Sequence, residues 1–206
     1  MQSSTKSKRR GRPRAFDGDE ALASAGKTFA HKGYSAATLD DLSAAMGINR
    51  PSLYAAFGDK EALYRKSLEA YARRMESLFA AALEGEANFA KALRSLYRTA
   101  LDAYVTDDGD VVGCMVVCTA VTEAVRNSDL RCSSKTILDE VDALVAARVR
   151  RAIADKQLAK GTDARALARL AVCMLHSLAI RSRAGTSRKI LDQMAGDAVA
   201  LIAGHR

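Results

Sequence analysis

The chain contains no tryptophan, only two prolines, Pro13 and Pro51, and an aromatic content of 5%. That shortage, beside an alanine content of about a fifth, argues against an all-β design and towards helix. Cysteines are few: Cys114, Cys118, Cys132 and Cys173. The opening run Met-Gln-Ser-Ser-Thr-Lys-Ser-Lys-Arg-Arg is basic but has no apolar core of a secretory signal. Export and a disulfide framework are therefore not expected, and a cytoplasmic location is. The longest nearly uncharged stretch, Val111 to Val121, falls well short of the roughly 20 residues of a membrane-spanning helix. There is no nucleophile elbow, no phosphate loop and no metal-ligand cluster, and the only histidines are His31, His176 and His205. Neither catalysis nor a bound metal or cofactor is expected.

What is present suits one well-filled body: 206 residues, 49% hydrophobic and 27% charged. Of the net charge of +8, six units sit in residues 1–14, on Lys6, Lys8, Arg9, Arg10, Arg12 and Arg14, with no acid among them. A short basic arm on a nearly balanced body is the pattern of a segment reaching for a polyanion, because each neutralised phosphate releases counterions. A solubilising tail is the alternative.

Capping signals and helical periodicity divide the rest. Asp17 with Glu20 makes a capping-box pattern, Leu22, Ala25 and Phe29 repeat at helical spacing, and Gly33 closes a first helix over about 17–32. Thr38 with Asp41 repeats the start signal for a second, short helix that ends at Gly47. Asn49 can cap a third, Arg50 to Phe57, with Pro51 in its first turn and Gly58 behind it. Asp59 caps a long fourth helix that carries Leu63, Leu68, Tyr71, Met75, Leu78 and Ala82 to about Leu83.

Two short helices across a glycine-containing connector, preceded by a longer one, are the parts of a helix-turn-helix whose third helix reads the groove. Leu53 and Phe57 fall on the inner face of that helix, and Arg50, Ser52, Tyr54, Ala55 and Ala56 on the outer. Small side chains allow close approach, Arg50 can donate to guanine or phosphate, and Tyr54 holds a hydroxyl at phosphate reach. Periodicity alone also admits an ordinary helical hairpin.

Beyond Gly85, Asn88 opens a helix to about Tyr104 that buries Phe89, Leu93, Leu96, Tyr97 and Leu101. Thr106 to Asp110 reads as a polar turn. Val111 to Val121 is β-branched enough for a strand, but with no partner strand nearby Gly113 to Arg126 is expected as a buried helix. Asn127 to Asp129 is expected to break or bend the chain before a long helix from about Ser134 to Leu158. The last two helices, about Asp163 to Arg183 and Ser187 to Ala203, carry apolar stripes wider than one interface needs. They are expected to pack inward and also on a second copy, as a four-helix bundle in a homodimer, with burial inside a monomer as the alternative. The expected architecture is all-α with about nine helices. It comprises a flexible basic arm over 1–14, a three-helix helix-turn-helix domain over 15–66, and a helical effector-binding and dimerisation domain over 67–206.

The segments Gly11-Arg12-Pro13-Arg14, Phe16-Asp17, Gly33-Tyr34, Thr38-Leu39-Asp40-Asp41-Leu42 and Met46 to Leu63 resemble the DNA-binding domain of the TetR family of transcriptional regulators, over about residues 11–66. The resemblance implies an all-α homodimer on a palindromic double-stranded DNA operator, usually a repressor, that leaves when a small molecule enters the C-terminal domain. By matching positions it implies that Thr38, Tyr54 and Lys60 hold phosphates, that Arg50, Pro51, Ser52 and Ala55 face bases, and that Arg12 and Arg14 enter the minor groove. Lys60 also fits physically, at the N-terminus of the fourth helix, where dipole and ammonium both favour an anion.

Gly113-Cys114-Met115-Val116-Val117 resembles a Gly-Cys-apolar segment of one branch of that family, which includes repressors that sense electrophiles and oxidants. Cys114 would then be the reactive thiol, with a small buried hydrophobe as the alternative; Cys118, one turn on, is read as a small buried hydrophobe. The effector pocket is expected among Leu93, Tyr97, Tyr104, Cys114, Met115, Cys118 and His176, apolar or aromatic residues with occasional polar heads in the central helices. The rival from another class is a helical interaction protein that uses the basic arm and exposed helices to bind a partner other than DNA.

Overall fold

The computed structural model describes residues 16–105 and 109–204, and these are all-α. Arg12, Arg14 and the rest of the basic arm lie outside the described residues, as do 106–108 of the expected polar turn. In chain order come α1 (Gly18–Lys32), α2 (Leu39–Met46), α3 (Arg50–Phe57), α4 (Lys60–Glu84) and α5 (Phe89–Ala103). A wide π-turn over Val116–Ala120 leads into the short α6 (Val121–Glu123). Then follow α7 (Ser128–Ala154), α8 (Ala164–Arg183) and α9 (Arg188–Ala203).

Two expected elements are different. The single buried helix over Gly113 to Arg126 is instead the π-turn followed by α6, and Val111 forms an isolated antiparallel bridge with Val105. Within the turn, the Thr119 hydroxyl donates to the Met115 carbonyl at 2.5 Å, a side-chain bond that competes with the backbone ladder. The expected break holds at Asn127, which is extended at φ −133°, but the residue also acts as a cap: its Oδ1 accepts from the backbone of Asp129 and of Leu130, both at 3.0 Å, so α7 starts six residues before Ser134.

Burial gathers into two cores. Ala25, Phe29, Leu42, Leu53, Phe57, Leu63, Tyr64 and Leu68 fill the first, among α1–α3 and the start of α4. Met75, Phe79, Leu83, Leu93, Leu96, Tyr97, Val149, Leu175 and Val199 belong to the second, among α4, α5, α7, α8 and α9. α4 runs through both, and Tyr71 packs against each. The first core is closed by Met115, just ahead of the π-turn, by Val116 and Ala120 within it, and by Leu130 from α7. A small three-helix unit thus rests on a segment that belongs, in sequence, to the other half. No described helix is long and apolar enough to cross a membrane.

Candidate nucleic-acid interface and the core behind it

Local chemistry fixes the short helices in place. Thr38 Oγ1 accepts from Asp41 N at 3.1 Å while Asp41 Oδ2 accepts from Thr38 N at 3.0 Å, a complete capping box at the start of α2. Lys32 Nζ lies 2.7 Å from the Asp41 carboxylate. Its hydrogen bond, and then those from Thr38, hold that carboxyl down at about 2. Gly47 ends α2 at φ 63°, a left-handed turn that re-aims the chain, and Asn49 Oδ1 caps α3 from Ser52 N at 2.9 Å.

α3 is anchored by Leu53 and Phe57, both buried, each contributing about 2 kcal/mol through apolar burial. Arg50, Pro51, Tyr54 and Ala55 are exposed, and Ser52 and Ala56 half-buried. Tyr54 keeps 49% of its surface open, which is unusual for a large side chain on so short a helix and leaves its hydroxyl free to meet a partner. Lys60, in the first turn of α4, sits with Nζ 4.7 Å over the Tyr34 ring and 3.4 Å from the Ser35 carbonyl. Thr38, at the start of α2, is exposed. Arg50 pairs with Asp40 through Nε and Nη2.

Behind this unit lies a cavity of about 30 Å³, lined by Tyr71, Met75 and Phe79 of α4, Ile137 and Val141 of α7, and Tyr104, Cys114, Val116, Val117, Leu175 and His176. Of the seven residues expected at a pocket, Tyr104, Cys114 and His176 meet here. The other four lie off its wall. Leu93 and Tyr97 are buried in the second core, where the Tyr97 hydroxyl donates to the Ala171 carbonyl at 3.0 Å. Met115 faces the first core, and the Cys118 thiol points to the Ala179 carbonyl at 3.9 Å. The wall contributed by α4 and α7 was not foreseen. Tyr71 and Met75 stood on a recognised apolar stripe, but nothing in the stripe says which neighbour it meets.

Burial pushes the Cys114 thiol up, against a smaller pull from the Val117 backbone N–H and the Tyr71 hydroxyl. Burial likewise raises Tyr71 and Tyr104 well above the ordinary phenol value and lowers His176, which Asp142 partly opposes.

The π-turn separates this cavity from the first core. Cys114, Val116 and Val117 face the cavity, while Met115 and Ala120 join the packing around Phe29 and Tyr64. Two polar ties cross the same boundary. The buried Tyr64 and Thr119 hydroxyls are 2.9 Å apart. Arg183, at the end of α8, donates from Nη1 to the Ala30 carbonyl at 2.6 Å and to the Val112 carbonyl at 2.7 Å, bridging α8, the C-terminal turn of α1 and the lead-in to the π-turn.

Residues 21–66 match the family model for bacterial regulatory proteins of the tetR family. Over 194 residues the chain is 30% identical to the HTH-type transcriptional repressor ComR of Escherichia coli K12, covering 94% of this chain and 92% of that protein. Its fold superposes, with a TM-score of 0.83 and 34% identity, on a cysteine-substituted TetR family transcriptional regulator CifR complexed with 26-bp double-strand operator DNA, covering 92% of this chain and 98% of that one. The reduced form of Escherichia coli NemR matches with a TM-score of 0.75 at 19% identity over 89% of this chain and 94% of that one, a likeness of fold alone.

Proposed function

The chain belongs to the TetR family of bacterial regulatory proteins, and we propose that it is a ligand-responsive repressor that grips a palindromic operator as a homodimer through Arg50–Phe57. At the coarser level it is a DNA-binding transcriptional regulator, not an enzyme. The observation that carries the finer reading is α3 itself, a two-cap helix pinned from behind by Leu53 and Phe57 with Arg50, Pro51, Tyr54 and Ala55 exposed. In this reading Arg50, Pro51, Ser52 and Ala55 face base edges, and Thr38, Tyr54 and Lys60 hold phosphates on either side. Arg12 and Arg14 follow the adjacent minor groove. Leu170, Ile180, Ile190 and Leu201 are exposed on α8 and α9, which supports pairing of two copies through these helices. In this reading the protein works in the cytoplasm, beside its operator DNA.

Release starts from the cavity. At about 30 Å³ it has room for about one water, so any larger effector must push its walls apart. The movable wall is the π-turn, the same segment that closes the core beneath α1 and α4. An effector seated against Tyr104, Cys114 and His176 therefore favours a different placement of the DNA-binding unit. Covalent capture by Cys114 is the less supported route, since burial keeps the thiol protonated in this closed arrangement.

Selection of duplexes from a random pool tests the reading. The expected product is a two-fold symmetric motif whose affinity falls steeply with salt and is weakened by Arg50→Ala and Tyr54→Phe without loss of the dimer. A monomer, or a motif without symmetry, refutes it. Release by N-ethylmaleimide that survives Cys114→Ser excludes covalent sensing at that residue.

A further inference from the structure

Arg50 does not stand alone on the outer face of α3. Asp40, from the first turn of α2, holds its guanidinium in a fork: Nε donates to Oδ1 at 2.9 Å and Nη2 to Oδ2 at 2.6 Å. That fork uses one edge of the planar group. The other edge, made of Nη1 and the second hydrogen of Nη2, points away from the carboxylate with two parallel N–H groups. Guanine presents O6 and N7 in the major groove at the spacing such a pair requires.

The pair makes little sense as a stabilising device. Its side chains keep 53% and 76% of their surface exposed, and ion pairs in that setting contribute next to nothing to folding. It makes little sense as a device for affinity either, since a carboxylate beside the groove repels the phosphates that the surrounding cations attract. What it supplies is orientation. A long cationic side chain at the positive end of α3 is pushed outward by the helix dipole and is free to find any nearby phosphate. Clamped by Asp40, it is aimed in one direction, and the repulsive carboxylate discourages the non-specific alternative.

We propose that Asp40 is the positioning residue for base selection, presenting Arg50 to a guanine in each half-site and withholding it from the phosphate backbone. The proposal rests on the reading of α3 as the groove-facing helix. Asp40 itself touches no base. Asp41, not Asp40, completes the α2 capping box, so Asp40 can be changed with the cap left in place.

The test uses the full chain. Duplexes are selected from a random pool with the wild type, Asp40→Asn and Arg50→Ala, and affinities are measured by fluorescence anisotropy on the selected duplex, on duplexes changed at each guanine, and on an unrelated duplex. Arg50→Ala identifies the guanine at stake. Asp40→Asn is expected to lose about tenfold of the discrimination at that same base pair. Affinity for the unrelated duplex should hold or rise, and Asp40→Glu should restore part of the preference. With Arg50 already replaced by alanine, adding Asp40→Asn should change discrimination no further. Wild-type discrimination retained in Asp40→Asn overturns the proposal. So does an equal loss on all duplexes, which marks a structural role, or an equal gain, which marks plain charge repulsion. If the wild type selects no duplex, the reading of α3 falls and the proposal with it, a result distinct from a selected motif that Asp40→Asn leaves untouched.

Discussion

The segment from α1 to α3 and the segment from Gly113 to Asn127 are built on opposite terms. In the first, each short helix is set by signals within a few residues of its end: Asp17, Thr38 and Asn49 at the N-caps, Gly33, Gly47 and Gly58 behind. In the second, conformation is imposed from outside. Gly113 has α8 on one side, the π-turn packs against two different cores, and Arg183 reaches in from the end of α8. A locally specified unit tolerates exchange of its outer residues and so serves recognition. A segment specified by distant contacts changes when those contacts change, and so serves coupling.

Two glycines put this contrast to its hardest test. Gly47 and Gly113 both sit at positive φ, 63° and 68°. A side chain at Gly47 meets nothing within 4 Å, whereas at Gly113 its Cβ falls 2.8 Å from the Ala179 carbonyl and 3.0 Å from the Cys118 sulfur. Gly113→Ala therefore adds overpacking to left-handed strain and is expected to cost about 3 kcal/mol, against about 1 kcal/mol for Gly47→Ala. Urea midpoints decide the matter, and equal losses would erase the distinction between the two segments.

Next in size is Arg183→Ala. Its guanidinium donates to carbonyls of Ala30 and Val112, so its loss is expected to cost about 2 kcal/mol and to loosen the hold of α8 on α1. Amide exchange should accelerate in the last turn of α1 while α3 keeps its protection. Uniform acceleration across both segments would show that the clasp is not the tie between them. Asn49→Ala, a purely local change, should cost about 1 kcal/mol and fray the start of α3 with α8 undisturbed.

The same contrast explains what could be read from the chain. Caps and i, i+4 pairs need only nearby residues, so α1 to α4 were legible to within a residue or two, whereas Ala56, expected on the outer face of α3, is half-buried against the first core. The π-turn was not, because it depends on packing against two cores that meet only in three dimensions. Asn127 carried a true cap signal that resembles a loop signal, since asparagine favours both. The cavity wall from Tyr71, Met75, Ile137 and Val141 was invisible for want of knowing which helices face one another. So was the Asp40–Arg50 fork, which joins residues ten apart across a turn.

The smallest expected effect concerns the pH range just below neutrality and arises on α8, at the cavity beside the coupling segment. His176 lines the cavity, and burial holds its pKa below the ordinary 6.5, with Asp142 opposing only in part. Between the folded value and 6.5 the unfolded chain binds more protons than the folded one, so stability rises with pH through that window and levels off above it. His176→Gln, which cannot charge, should flatten the profile there while leaving its alkaline end in place. Because the histidine shares its cavity with Val116 and Val117 and with no residue of α3, acid should also loosen the π-turn before it affects the capped helices. Denaturant midpoints at several pH values, together with amide exchange at Thr119 and Ser52, separate the two. Simultaneous loss of protection at both sites would mean that the segments open as one unit.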